Sequence, residues 1–187
     1  MKWRLYYFDF QCVLEWIIVV ENVLEKLTEL FTTHGARFRV VHHPEAGKSS
    51  QSVAELRGTE LGQGAKALCC TVKGNGVKQY VLGVLPADYQ ADLSLLAAAV
   101  GGRRASLASP GEVMELTGSV FGAVPPVSFH PEMKVVIDPS LFTRYEEIAF
   151  NAGHRDTSII INAEDFRRSV EHTEASFTKI PEEVTQP

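Results

Sequence analysis

Residues 65–85 (AKALCCTVKGNGVKQYVLGVL) limit what this chain can fold into more than any other stretch. Two apolar, strand-like runs flank Gly74-Asn75-Gly76, and Asn-Gly is the favoured centre of a tight hairpin because both of its positions tolerate positive φ. An antiparallel strand pair is therefore required, which excludes an all-helical fold. Lys66 falls at the start of the first strand, and Cys69 and Cys70, as neighbours on a strand, face opposite sides of it. The pair cannot form part of an ordinary disulfide framework, and with Cys12 the cysteine count is odd.

The rest of the chain surrounds this hairpin with helices and further strands. Apolar residues recur at helical spacing over 13–31 (Leu14, Ile17, Ile18, Val23, Leu24, Leu27, Leu30, Phe31), and Gly35 stops the pattern. Residues 37–41 alternate as a half-buried strand, closed by Pro44. Residues 50–57 read as a helix with a serine cap and Gly58 at its end. A helix over 92–100 stops at Gly101-Gly102, and another starts at Ser109-Pro110. Residues 119–131 (SVFGAVPPVSFHP) carry too many breakers for helix or central strand. Strands follow at 134–137, 146–150 and 157–162, with a short helix over 164–170. This irregular alternation predicts a mixed α/β class with a mixed sheet.

Composition narrows the function classes. With 187 residues, 45% hydrophobic and 22% charged, the chain suits one globular domain. Its 18 Lys and Arg against 23 Asp and Glu give a net charge of −5, so no global positive field draws it to nucleic acid or an anionic membrane. Any RNA contact must be local. Lys48, Arg57, Lys73, Lys78, Arg103 and Arg104 are the candidates for such a basic rim. The apolar N-terminal 20 residues are interrupted by Asp9, Gln11 and Glu15 and lack a small-residue cleavage site, so they are read neither as a signal peptide nor as a membrane span. Reduced thiols without zinc-ligand spacing are expected in a cytoplasmic protein.

Known motifs fail one by one. GxSxG, HExxH and GxxxxGK[ST] are absent, and Gly62-x-Gly64 lacks the remainder of a dinucleotide fingerprint. His42 and His43 point to opposite faces of an extended segment and make a joint metal site improbable. Cys69 and Cys70 read as small core residues. What remains is a constellation of Lys66 on a strand edge, a Gly122-Ala123-Val124-Pro125-Pro126 loop, His130 beyond it, and Asn151-Ala152-Gly153 after a strand.

That constellation, with the runs GQGAKALCCTVKGNGVKQYVLGVLPAD and EIAFNAGHRDTSIIINAEDF, resembles the YbaK/prolyl-tRNA synthetase-associated editing domain family, nearest its YeaK-like free-standing branch. The resemblance covers about residues 23–170, leaving a helical N-terminal extension over 1–22 and a mobile polar tail over 171–187. It implies a mixed, mostly antiparallel sheet rolled around a pocket with helices outside. It also implies a trans-editing deacylase that hydrolyses wrongly charged aminoacyl-tRNA without metal or organic cofactor. Lys66 takes the place of the family lysine, Gly122 and Pro126 define its G-x-x-x-P loop, and Asn151 to Gly153 its downstream turn. Lys66, Gly122 and Pro126 are the expected catalytic residues. Ala123, Val124, His130, Asn151, Gly153 and Ser158 are expected to touch substrate.

Under this resemblance a lysine at the rim can clamp the fixed anion of a terminal phosphate, while the loop backbone orients water or an oxyanion. No side-chain nucleophile is implied, which favours attack by water assisted by the terminal ribose hydroxyl. Ala67 stands where alanine-specific relatives often carry Asn, and Asn151 and Ser158 replace the Ser and Asp of the cysteine-specific branch. Serine, threonine or alanine are the expected substrates, and the acceptor end of tRNA and an aminoacyl-tRNA synthetase the candidate partners, with no membrane role. The competing reading is a binding module that keeps the pocket without turnover; a third is an interaction protein working through its apolar N-terminus.

Overall fold

The computed structural model describes residues 23–43 and 49–179. In chain order these form α1 (residues 23–33), β1 (Phe38–His42), α2 (Ser50–Arg57), β2 (Ala65–Gly74), β3 (Val77–Pro86), β4 (Gln90–Ala91) and α3 (Leu93–Ala99). There follow β5 (Arg104–Leu107), α4 (Pro110–Thr117), β6 (Met133–Ile137), β7 (Glu147–Asn151), β8 (Thr157–Asn162), α5 (Ala163–Ser169), β9 (Thr173–Glu174) and β10 (Thr178–Lys179).

The hairpin dominates. β2 and β3 pair antiparallel along their whole length, from Ala65↔Pro86 to Gly74↔Val77. Asn75 at φ 54° and Gly76 at φ 79° make the turn, both left-handed as a two-residue hairpin connection demands. A five-stranded sheet in the order β5-β2-β3-β6-β9 grows on this pair, with β6 and β9 parallel to their neighbours. A second sheet, β1-β8-β7, is wholly antiparallel, and β10 pairs with β4. The expected mixed, mostly antiparallel architecture is therefore present, divided among three sheets. A parallel bridge between Gly64 and Ala149 links the start of β2 to β7.

The two faces of the hairpin bury different cores. Cys69, Leu82 and Val84 join Leu27 and Phe31 of α1, Ile148 and Phe150 of β7, and Ile159 of β8. Phe31, Phe150 and Phe166 pack with ring centroids 5.7–6.3 Å apart, a spacing suited to tilted aromatic contacts. On the other face Cys70, Val72, Val81 and Leu85 meet Leu96, Val136 and Phe177. Gly83 allows that second layer: a Cβ there would lie 2.9 Å from Leu96 Cδ2.

Helix ends follow the cap chemistry of the sequence. Ser49 caps α2 and Gly58 ends it at φ 69°. Asp92 accepts from Ser94 N and Leu95 N at the start of α3, and Ser109 with Glu112 forms a capping box ahead of α4. The helix expected over 13–31 is described only from residue 23, so its first part and the whole N-terminal extension lie outside the described residues.

The tail needs correction. A mobile segment was expected from residue 171, but residues 171–179 are built into the fold through β9, β10 and the fully buried Phe177. Asp138 explains their docking. Its carboxylate, 2% exposed, accepts from Phe177 N at 2.9 Å and from Ser140 N and Oγ at 3.0 and 2.6 Å. Although burial pushes that carboxyl up, these hydrogen bonds hold it below the ordinary carboxylate range. A single aromatic in a polar run gave no periodicity to read. Phe177→Ala should cost about 3–5 kcal/mol by emptying its place in the second core, visible as a lower urea midpoint; an unchanged midpoint would mean the segment does not dock.

Candidate active site

A cleft of about 520 Å³ opens where the start of β2, α2, α4, the end of β7 and the 119–131 loop meet. Small residues make the room, Ala54 from α2, Ala65 and Ala67 from β2 and Ala149 from β7, while Val53, Leu61 and Val113 supply apolar walls. Of the residues expected to act on or touch substrate, Lys66, Gly122, Val124 and Asn151 line this cleft.

Lys66 sits at the first turn of the β2 ladder, opposite Leu85. Its ammonium is committed to the chain itself, donating to Tyr89 O at 2.8 Å and to Ala87 O at 3.4 Å. Two of its three N–H groups are thereby engaged, and the third has no partner among the described residues. Burial lowers its pKa, partly offset by the Asp88 carboxylate. Lys66 therefore anchors the turn over 87–89 at the cleft edge as well as charging it.

The loop is shaped by Gly122, at φ 85°, a conformation that side-chain-bearing residues rarely adopt. Ala123 N donates to Val120 O, and Ala123 O accepts from Gly153 N at 3.0 Å, which ties the loop to the downstream turn. Ala123, Pro126 and Gly153 are thus buried supports behind the cleft wall. Gly153 is needed where it stands, since a Cβ there would fall 2.8 Å from Val23 Cγ1 of α1. Loop hydrogen bonds leave the N–H groups of Gly122 and Val124 without a backbone partner among the described residues.

A polar chain runs behind the same wall. Arg57 Nε donates to Ser158 Oγ at 2.8 Å, Arg57 Nη2 to Asn151 Oδ1 at 2.6 Å, and Asn151 Nδ2 to Gly122 O at 3.1 Å. Ser158 is fully buried and also meets His43 Nε2 at 2.9 Å. His43 is kept neutral, its pKa lowered by burial and then by the Arg57 charge, and its Nδ1 has no partner among the described residues. A serine beside a histidine invites comparison with a nucleophile pair. Here the serine does not line the cleft, it already accepts from an arginine, and nothing orients the imidazole.

His130 lies elsewhere. Its ring meets Tyr80 edge-on at 6.4 Å, its Nδ1 accepts from Glu132 N, and it does not line the cleft. The basic-rim residues separate in the same way. Arg57 lines the cleft, whereas Lys73, Lys78, Arg103 and Arg104 are exposed at the far end of the hairpin, and Lys48 lies outside the described residues. Among the described residues no cluster of three His, Cys, Asp or Glu could hold a metal, and no helix is long and apolar enough to cross a membrane.

A model of the aminoacyl-tRNA editing domain matches residues 43–169. The chain belongs to that family. It is 61% identical over 144 residues to the multifunctional Ser/Thr-tRNA deacylase ProXp-y of Escherichia coli K12, covering 77% of this chain and 86% of that one. A solved structure described as a candidate trans-editing enzyme for prolyl tRNA synthetase superposes with a TM-score of 0.70 at 24% identity, over 84% of this chain and 97% of its own. The hypothetical protein APE2540 superposes with a TM-score of 0.72 at 21% identity, over 82% of this chain and 99% of its own. These two likenesses speak for the fold.

In this editing domain Arg155 is the cleft residue that the sequence did not mark, since nothing distinguishes it from other loop arginines. Arg57 carried a signal that was readable: it lies at i+4 from Val53 on the buried face of α2, an unusual place for a guanidinium. The thiols are unsuited to attack. Burial pushes Cys69 up to about 11 and Cys70 up to about 12, so both are protonated at neutral pH. Iodoacetamide at pH 8 should therefore alkylate Cys69 and Cys70 roughly a hundredfold more slowly in the native protein than in urea, followed by peptide mass spectrometry; equal rates would show thiols that burial neither shields nor raises, and a faster native rate an activated one.

Proposed function

We propose that this chain hydrolyses the ester of aminoacyl-tRNA mischarged with a small amino acid, serine and threonine foremost and alanine next. The observation that carries the reading is its 61% identity, across most of both chains, to a Ser/Thr-tRNA deacylase. The cleft supports it. Alanines leave space for a small side chain, and a hydroxyl-bearing substrate would find polar neighbours in Asn151 and the loop backbone.

In the proposed reaction water attacks the ester carbonyl, the bond to the ribose oxygen breaks, and that oxygen takes up the proton, releasing free amino acid and tRNA. The neighbouring ribose hydroxyl assists proton movement. The protein supplies placement and electrostatics. Lys66 charges the cleft edge through its remaining N–H, and Gly122 and Val124 offer N–H groups to the developing oxyanion. Pro126 and Ala123 hold that loop from behind, Gly153 and Ser158 support Asn151, and His130 acts at most through the loop end. No metal or organic cofactor is needed for this chemistry. The partner is the acceptor end of a charged tRNA in the cytoplasm, and a synthetase presenting that tRNA is compatible with the reading.

Purified protein incubated with Ala-, Ser-, Thr-, Cys- and Pro-charged tRNA should release serine or threonine fastest. Lys66→Ala should slow that release by about ten- to a hundredfold, the worth of one charge-assisted hydrogen bond. A folded Lys66→Ala variant at full rate would remove Lys66 from the mechanism. No release from any charged tRNA would overturn the deacylase reading in favour of a binding module.

A further inference from the structure

His43 is a buried titratable group that the proposed reaction does not use. It follows β1, its backbone N–H donates to Asp156 O at 2.9 Å, and the residue is 6% exposed. Strand pairing sets Ser158 opposite Val41 of β1 on one side and opposite Asn151 of β7 on the other. The imidazole and the serine hydroxyl therefore meet inside the wall. His43 Nε2 lies 2.9 Å from Ser158 Oγ, and Arg57 Nε lies 2.8 Å from the same oxygen.

The protons of this group can be counted. A guanidinium only donates, so Ser158 Oγ and Asn151 Oδ1 both accept from Arg57. That turns the Asn151 amide the one way that lets Nδ2 donate to Gly122 O at 3.1 Å. Ser158 keeps one lone pair and one proton, and Asn151 Oδ1 is 3.4 Å away as a second acceptor for that proton. A neutral His43 fits in either tautomer, since a bare Nε2 accepts the hydroxyl proton and a protonated Nε2 donates to the free lone pair. An imidazolium has only the second choice. Two cations would then donate to one hydroxyl oxygen, and Nδ1–H would be buried without an acceptor among the described residues.

The charges around the ring do not relieve that conflict. Arg57 faces it from α2, His42 adjoins it on its own segment, and Asp156 stands in the turn between β7 and β8. The Asp156 carboxylate is already engaged by the His154 ring and by the Thr157 hydroxyl. Burial first, then Arg57, favours the neutral ring, and Asp156 offsets this only in part. Arg57 itself stays charged at neutral pH, its pKa pushed down by burial to about 10. When a proton from solvent charges His43, one donor has to leave Ser158. Loss of the Arg57 fork frees the Asn151 amide and unties the loop that carries the Gly122 and Val124 N–H groups.

We propose that His43 is a positioning residue of the cleft: neutral, it lets Ser158 hold the chain from Arg57 through Asn151 to Gly122, and protonated, it releases that chain, so that deacylation declines in mild acid. This rests on the deacylase reading above. His43 touches no reacting atom, and its effect passes through three side chains to the loop.

Two readouts on the full chain test this. Single-turnover release of serine from Ser-tRNA is followed from about pH 8 to about pH 5 in the wild type, His43→Gln and His43→Ala. Each rate is divided by that of His43→Gln at the same pH, which cancels the hydroxide dependence of the ester itself. A glutamine amide still reaches Ser158 but does not titrate, so the wild-type ratio should fall several-fold as the pH drops, while His43→Ala stays slower than His43→Gln throughout. The second readout is the side-chain amide resonance of Asn151 in the free protein. It should move with the His43 titration in the wild type and stay still in His43→Gln, and in Arg57→Gln the His43 titration should shift to higher pH. A flat wild-type ratio, or an Asn151 resonance that ignores His43, overturns the proposal. Absence of serine release at every pH counts against the deacylase reading instead, and the Asn151 resonance then decides the His43 link by itself.

Discussion

The register of the β2–β3 hairpin is the constraint on which the other parts depend. Because side chains alternate, a slip of one residue would exchange every group on one face for those on the other. In the native register the small residues Ala65, Ala67 and Cys69 line the cleft, and Leu68, Cys70 and Val72 face the second core. Lys66, at the edge and on the second face, can then reach the carbonyls of Ala87 and Tyr89. The turn at Asn75-Gly76 sets this register, so a local backbone preference decides where the cleft's wall is made.

Sequence reasoning reached the elements whose signals are local. Ser49, Asp92 and Ser109 cap helices where the chain announces caps, and Gly58 and Gly118 end them in left-handed geometry. The segment over 119–131 is irregular, as its glycine and prolines require. What the sequence concealed depends on contacts between distant residues. Strands β4, β5, β9 and β10 are two to four residues long, too short to show alternation, and exist because a neighbouring strand is there to pair with. The cleft divides in the same manner. Lys66, Gly122, Val124 and Asn151 were readable through a family pattern, whereas Arg155 is placed by the turn that carries it and His130 is turned away onto Tyr80.

Two kinds of support hold the cleft wall. Packing places Ala123 and Gly153 by excluding bulk, since α1 comes so close that Gly153 can carry no side chain. Hydrogen bonding places Arg57, Asn151 and Gly122 in a continuous chain that starts at Ser158 in the interior and ends at the loop carbonyl. Each member is oriented by the one behind it, so the cleft wall inherits its geometry from a buried serine.

The docking of Phe177 has a temporal meaning as well. Asp138 and the Phe177 amide that it binds are 39 residues apart, and the same aromatic closes a core built from the hairpin and α3. During synthesis the chain therefore emerges with its cleft-forming strands complete while one layer still lacks its last side chain. Until residue 177 leaves the ribosome, that carboxylate has no main-chain donor from the tail, and the outer face of the hairpin stays partly wet. Closure of this domain is thus deferred to the segment around Phe177, which follows every residue that lines the cleft.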